Sequence, residues 1–328
     1  MSKKIIVNVG CARSGTTAME AYYEKSSCIE TPFGKKEIQA FSGKEINFKQ
    51  YLTYFSDKDA DVYFESSPPY VHAGIDKFKK VVSNLKRLKE DADIEVVFNL
   101  RSLVKRAFSH YWHDISKHHA LFGADWSVRS KNSSDRFKSL YTDNFFEALA
   151  KDYNKFLPDI MGMICVAGNQ LGWANISVIL QKELNDGVQR LSEKIGIRSG
   201  LQNVPRTIGC KAPVFLSGGK YKVSGHNDEK IIDLESGSIA IIGYDGIEVI
   251  SDNQFDVNQL IFASRQWSTD VTYSTMSSIF DRYFSEQKRQ LKNIPQNVFL
   301  TNLDVETELF KVENASIDMQ AVVEKVYD

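Results

Sequence analysis

The stretch NVGCARSGTTAMEAYY (8–23) sets two glycines, Gly10 and Gly15, around an arginine and follows them with two hydroxyls. Glycine lets a backbone turn tightly and approach a ligand closely. The guanidinium of Arg13 forks across two oxygens of a phosphate or sulfate, and Thr16 and Thr17 add hydroxyl donors where a helix would open. At a helix N-terminus the first amide N–H groups lack intrahelical partners and the positive end of the dipole faces outward, so an anion is favoured there. A triphosphate-binding loop of this G-x-x-x-x-G spacing continues with Lys and then Ser or Thr, the pair that serves the phosphates and magnesium. Here Thr16 and Thr17 occupy those two positions. A plain strand-to-helix turn with a threonine N-cap fits the same letters, and the glycine spacing alone does not separate the two readings.

Three further stretches bear on the question. In VFNLRSLVKRAFSHYWH (97–113), Arg101 closes an apolar run, and Ser102, Arg106, Ser109 and His113 recur at helical spacing on one face. Val104, Phe108, Tyr111 and Ile115 take the opposite, apolar face. Arg101 and Ser109 are spaced to clamp a second phosphate, away from the first. An amphipathic helix whose polar side is merely wet has the same periodicity. TPFGKKEIQAF (31–41) puts Glu37 beside Lys35 and Lys36. A loop glutamate is ordinarily solvated, whereas a general base gains from burial. FESSPPYV (64–71) follows a short apolar run with two serines and two prolines.

The elements that must carry these residues alternate between two periods. Residues 5–9, 61–66 and 94–100 are apolar runs of strand length, and 16–25, 74–91 and 103–118 have helical spacing. That alternation predicts an α/β fold: a P-loop-like parallel sheet flanked by helices on both faces. Residues 145–156, 176–195 and 271–291 are expected as helices, 297–303 as a last strand and 316–327 as a closing helix. Glycine-rich, β-like runs over 197–256 suggest a β-rich insertion with a hairpin turn at Tyr244-Asp245-Gly246. The expectation is a single domain over residues 1–328 with that insertion inside it.

The chain has 328 residues, 42% of them apolar and 25% charged, with a formal net charge of −1. This is ordinary globular composition, and the charge argues against a protein that works by wrapping nucleic acid. The lysines from Lys77 to Lys89 fall in an expected helix and read as a solvated face. Cys11, Cys28, Cys165 and Cys210 form no C-x-x-C pair, so neither a disulfide framework nor a zinc site is expected. No window has the length of a membrane span, and the first residues are too short an apolar run for a signal peptide. A cytoplasmic protein with reduced thiols and no metal is the expectation, and nothing in the sequence specifies an oligomeric state.

Taken together and in this order, the four stretches resemble the sulfotransferases that use 3'-phosphoadenosine 5'-phosphosulfate (PAPS), most closely the heparan-sulfate N- and 3-O-sulfotransferase type. ARSGTTAM resembles the family's 5'-phosphosulfate loop, K/R-S/T-G-T-T-x-L, and LRSLVKRAFSHY its 3'-phosphate motif, R-N-P-x-x-R-x-x-S-x-Y. YFESSPPY is similar to F-E-K-S/T-x-x-Y and KKEIQAF to E-E-I-Q-F-F. The resemblance covers roughly the first third of the chain, up to His113. It implies that Arg13, Ser14, Gly15, Thr16 and Thr17 hold the 5'-phosphate and sulfate, that Arg101 and Ser109 hold the 3'-phosphate, that Glu37 is the catalytic base and that His113 assists near the acceptor. It implies PAPS as co-substrate, no metal, and a saccharide or small-molecule acceptor. Arg13 stands where the heparan-sulfate branch has lysine, Ser102-Leu103 replaces Asn-Pro, and Ser66 replaces the lysine after glutamate. Two other readings remain: a P-loop-type kinase or nucleoside triphosphatase that has lost its lysine, which leaves Arg101 and Ser109 without a role, and a non-catalytic protein that binds the donor.

Overall fold

The computed structural model describes residues 3–34, 37–43, 45–107, 109–110, 153–197, 214–224, 229–243, 246–250, 273–311 and 322–326. His113, Lys35, Lys36, Phe108 and Cys210 lie outside them, as do 111–118 and 145–152 of the helices expected over 103–118 and 145–156. Contacts divide the chain into two units: Met1–Arg106, Tyr153–Thr207 and Ser277–Val312 form the first, and Ala107–Asp152, Ile208–Met276 and Glu313–Asp328 the second.

The first unit is built on a four-stranded sheet in the order β2-β1-β3-β4. β1 is Lys3–Asn8, β2 Val62–Ser66, β3 Ala92–Leu100 and β4 Ile176–Leu180, and every pairing is parallel. A parallel sheet needs cover on both faces, and its strands therefore read as continuous apolar runs. On one face Ile6, Phe64, Val97 and Ile179 pack against Ala18, Met19, Tyr22 and Tyr23 of α1 (Thr16–Tyr23) and Val188 and Leu191 of α4 (Leu184–Lys194). On the other, Phe98 meets Phe78 of α2 (Ile75–Leu88) with ring centroids 5.9 Å apart, and α3 (Ile160–Leu171) packs on α2. The buried stripe of α2 is Phe78, Val81, Val82, Leu85 and Leu88, and Lys77, Lys79, Lys80, Lys86 and Arg87 face solvent as the charge pattern suggests. The expected α/β class, with a parallel sheet and helices on both faces, is what forms.

The second unit holds an antiparallel sheet in the order β7-β6-β5-β8, β8 being Val322–Val326. β5 (Val214–Ser224), β6 (Glu229–Gly243) and β7 (Gly246–Ile250) fall within the β-rich stretch expected at 197–256. Gly243 pairs with Gly246 between β6 and β7, and Tyr244 and Asp245 of the expected turn lie outside the described residues. α5, Tyr273–Leu291, matches the helix expected over 271–291 and belongs to the first unit from Ser277 on.

Three expectations give way. Residues 176–195 are not one helix but β4 followed by a 3-10 turn and α4, because a short buried apolar run has no period of its own to tell strand from helix. Residues 297–303 form no strand. A 3-10 turn at Gln296–Val298 leads to one parallel bridge, Phe299 to Val178, after which Thr301 Oγ1 and the Asn302 amide turn to the Glu183 carboxylate at 2.5 and 3.0 Å. Those bonds draw the chain off the ladder. The closing helix is replaced at Val322–Val326 by β8, paired with β5; its β-branched residues find a distant strand that helical counting cannot see.

Candidate functional site at the carboxyl end of the parallel sheet

From β1 the chain crosses to β2 on one side, and from β3 it crosses to β4 on the other. The connections diverge between β1 and β3, and in open α/β sheets the crevice outside the carboxyl ends at such a switch point is where ligands bind. The loop over 9–15 leaves β1 at one wall of this crevice, and Arg101 follows β3 at the other. A Cβ on Gly10 would sit 2.7 Å from the Asn99 amide nitrogen and 2.9 Å from Asn99 Cβ. The neighbouring strand by itself thus excludes a side chain at Gly10.

The loop is wound from within. The Ser14 amide donates to the Cys11 carbonyl at 3.2 Å, and Arg13 and Gly15 both take left-handed backbone, φ 71° and 92°. For a non-glycine residue that conformation costs on the order of 1–3 kcal/mol and persists where its surroundings impose it. Gly15 is the N-cap of α1, with no side-chain cap and no acidic residue in the first turn. The threonine-capped turn is therefore not what is built, and the positive end of α1 is left for another anion. Thr16 is buried, Thr17 and Arg13 half-buried, and the fully buried Ser14 Oγ has no hydrogen-bond partner.

Neighbouring side chains fix the loop in place. Asn8 Oδ1 accepts from the Gly10 amide at 3.1 Å while its Nδ2 donates to Ser66 Oγ at 3.3 Å. Ser66, which stands at the position of the family's lysine, is thus a buried partner of β1. His72 Nε2 accepts from the Ala12 amide at 3.1 Å. Burial first, then the positive charge of Arg106, push the His72 pKa down to about 3, against a backbone hydrogen bond to Lys155. The imidazole therefore stays neutral and keeps its acceptor. Burial also lifts the Cys11 thiol to about 11, which makes it an inert part of the loop.

The Glu37 loop is tied to the same place. The Gln39 amide donates to Ser67 Oγ at 3.1 Å, the Phe41 amide to Tyr70 Oη at 3.1 Å, and Asn84 Nδ2 to the Phe41 carbonyl at 3.0 Å. Ile38 is buried and Glu37 half-buried. The Ser67 amide in turn donates to the Asn8 carbonyl at 3.0 Å. Residues 66–72 therefore hold both the 9–15 loop and the segment that carries Glu37. Tyr70 Oη donates to Glu65 Oε1 at 2.6 Å, and burial raises the Glu65 pKa to about 8 despite that bond, so Glu65 is a neutral acid at physiological pH.

Of the residues expected to act, Arg13, Ser14, Gly15, Thr16 and Thr17 lie together on the loop, and Glu37 is on a segment joined to it through residues 66–72. Arg101 follows β3 across the crevice, half-buried. Ser109 belongs to the second unit. The motifs do not mark His72, Asn8 or Asn99. For the two asparagines the signal was a polar amide ending a strand-length apolar run; for His72 the sequence carries none.

Among the described residues no group of three His, Cys, Asp or Glu side chains is placed to hold a metal, and no helix is long and apolar enough to cross a membrane. No protein-family model matches the chain, and no curated protein matches it in sequence. Among solved structures it is similar to a sulfotransferase from Alicyclobacillus acidocaldarius, at 17% identity and a TM-score of 0.43, over 62% of this chain and 85% of that one.

Proposed function

We propose that the protein is a sulfotransferase that moves a sulfuryl group from PAPS to a hydroxyl or amine of a saccharide or small metabolite. The support lies in this chain's own residues. Stretches that resemble one family's motifs at four separate places in the sequence supply the 9–15 loop, the Glu37 segment, the 65–72 segment and Arg101. All four gather around the carboxyl ends of β1, β2 and β3, with the loop and Arg101 on either side of the switch point. The buried, unpartnered Ser14 Oγ and the uncapped N-terminus of α1 fit a phosphate or sulfate oxygen.

In this reading Arg13, Ser14, Gly15, Thr16 and Thr17 hold the 5'-phosphosulfate, while Arg101 and Ser109 hold the 3'-phosphate that distinguishes this donor from ATP. PAPS supplies an activated sulfuryl group whose S–O bond to the 5'-phosphate breaks on transfer. Glu37 takes the proton from the acceptor O–H or N–H as that atom bonds to sulfur. The electron pair of the broken bond leaves on the phosphate oxygen, where Arg13 and the first amides of α1 meet the developing charge. His113 assists at the acceptor. Such a transfer depends on in-line positioning and charge stabilisation more than on covalent chemistry, as in phosphoryl transfer. It needs neither the lysine nor the magnesium of a triphosphatase loop.

The test is calorimetric titration with adenosine 3',5'-bisphosphate, alongside ADP and ATP with magnesium. The bisphosphate is expected to bind in preference to both, and Arg101→Ala to weaken it by roughly tenfold or more, as expected for a lost charge-assisted contact. Preference for ATP with magnesium would overturn the proposal in favour of a kinase that has lost its lysine.

A further inference from the structure

Arg106 is among the largest fully buried side chains and is 1% exposed. Its place on the polar face of the 103–118 pattern gives no hint of this. Nη2 donates to the Phe156 carbonyl, while Nε and Nη1 have no hydrogen-bond partner. Among the described residues no carboxylate pairs with it. A guanidinium offers five N–H donors, and burying its charge costs several kcal/mol unless a counter-charge and hydrogen bonds offset it. One carbonyl does not do so.

The position of this charge shows what it lacks. It lies close enough to Cys11 to oppose the upward push of burial on that thiol, and close enough to His72 to help keep the imidazole neutral. Cys11 belongs to the 9–15 loop, and His72 bonds the loop at Ala12. Ser14 Oγ of the same loop and both polar atoms of the side chain of Asn99, whose backbone abuts Gly10, are likewise buried without partners. Unsatisfied groups gathered around one loop are the mark of a site whose missing partner is a ligand.

We propose that Arg106 is an anion-positioning residue: its charge, unbalanced among the described residues, is balanced by the phosphate or sulfate group that the 9–17 loop holds. Arg106 then favours the bound state at the expense of the empty fold, a trade that places part of the protein's stability in the service of its site. Where the anion is taken to be the donor nucleotide's, this rests on the function proposed above.

The experiment uses the full chain, ligand-free and titrated, as wild type, Arg106→Met and Arg106→Lys. Arg106→Met is expected to melt at the same temperature as wild type or higher without ligand. It should bind adenosine 3',5'-bisphosphate roughly tenfold or more weakly, the scale for losing one partner of a buried charge pair, and Arg106→Lys should recover part of that loss. Inorganic sulfate should raise the melting temperature of wild type more than that of Arg106→Met. Should wild type respond to sulfate in this way but ignore the bisphosphate, the nucleotide reading falls and Arg106 keeps its role. Equal binding by wild type and Arg106→Met overturns the inference, and so does a Met variant that melts lower or fails to fold. Either would show a guanidinium already satisfied in the empty protein.

Discussion

One face of β3 carries Glu95, Val97 and Asn99 at successive inward positions, and its two polar residues have opposite fates. Glu95 is largely buried, yet Lys194 Nζ and Ser177 Oγ reach its Oε1 at 2.7 and 2.5 Å, and Lys194 also donates to Ser177 Oγ and to the Ile176 carbonyl. Burial raises the Glu95 pKa and the lysine works against that rise. Near the end of the strand Asn99 is fully buried with neither polar atom bonded, its backbone against Gly10 of the 9–15 loop. The difference teaches that burial alone does not decide the outcome: Glu95 is satisfied where a lysine and a serine reach it, whereas Asn99 joins buried groups left unbonded, Ser14 Oγ and Arg106 among them, that the proposed anion site would complete.

Glu65, at the carboxyl end of β2, is an intermediate case and carries the largest expected effect. It meets burial by keeping its proton. The folded chain holds that proton up to about pH 8, whereas an unfolded chain releases it near 4.5. Between those values the folded state binds more protons than the unfolded one, so this group makes stability fall as pH rises. Glu65→Gln mimics the neutral acid, still accepts from Tyr70, and should flatten the fall by about 1.4 kcal/mol per pH unit. Denaturant unfolding from pH 5 to 8 checks it; an unchanged slope would mean that Glu65 ionises normally.

The satisfied corner is tested next. Lys194→Met leaves Glu95 buried beside Ser177 alone and should cost about 2–4 kcal/mol, below the range for a wholly buried pair because the lysine is partly exposed. Bisphosphate affinity should not move. The smallest effect is expected at the other end of the same face. Asn99→Leu should leave the ligand-free protein as stable as before, or up to about 1 kcal/mol more so, while affinity falls about fivefold. A clear loss of stability there would erase the contrast between the two ends of the strand.

How far the sequence could be read depended on the range of the forces involved. The strand, loop and helix of residues 3–23 follow from a β-branched run, Gly15 and a helical pattern within a few residues of one another, and all three formed where expected. β4 and β8 were taken for helix because both are short and are made strands by partners far away in the chain, Val96–Leu100 for one and Lys220–Ser224 for the other. Likewise, the motif order pointed to Arg13 and Glu37, but nothing local marked His72 as the acceptor for Ala12 or residues 66–72 as the common support of both loops.

By itself the sequence determined the elements around the loop, the chemical types on offer there, and the missing lysine that turns attention from a triphosphate to a phosphosulfate. Tertiary structure alone decided that Gly10 answers to Asn99, that Arg106 is buried instead of wet, and which polar groups are left wanting a partner. The reason is physical: periodicity records which face of an element a residue occupies, whereas a hydrogen bond or a desolvated charge depends on what other elements bring to within a few ångströms of it.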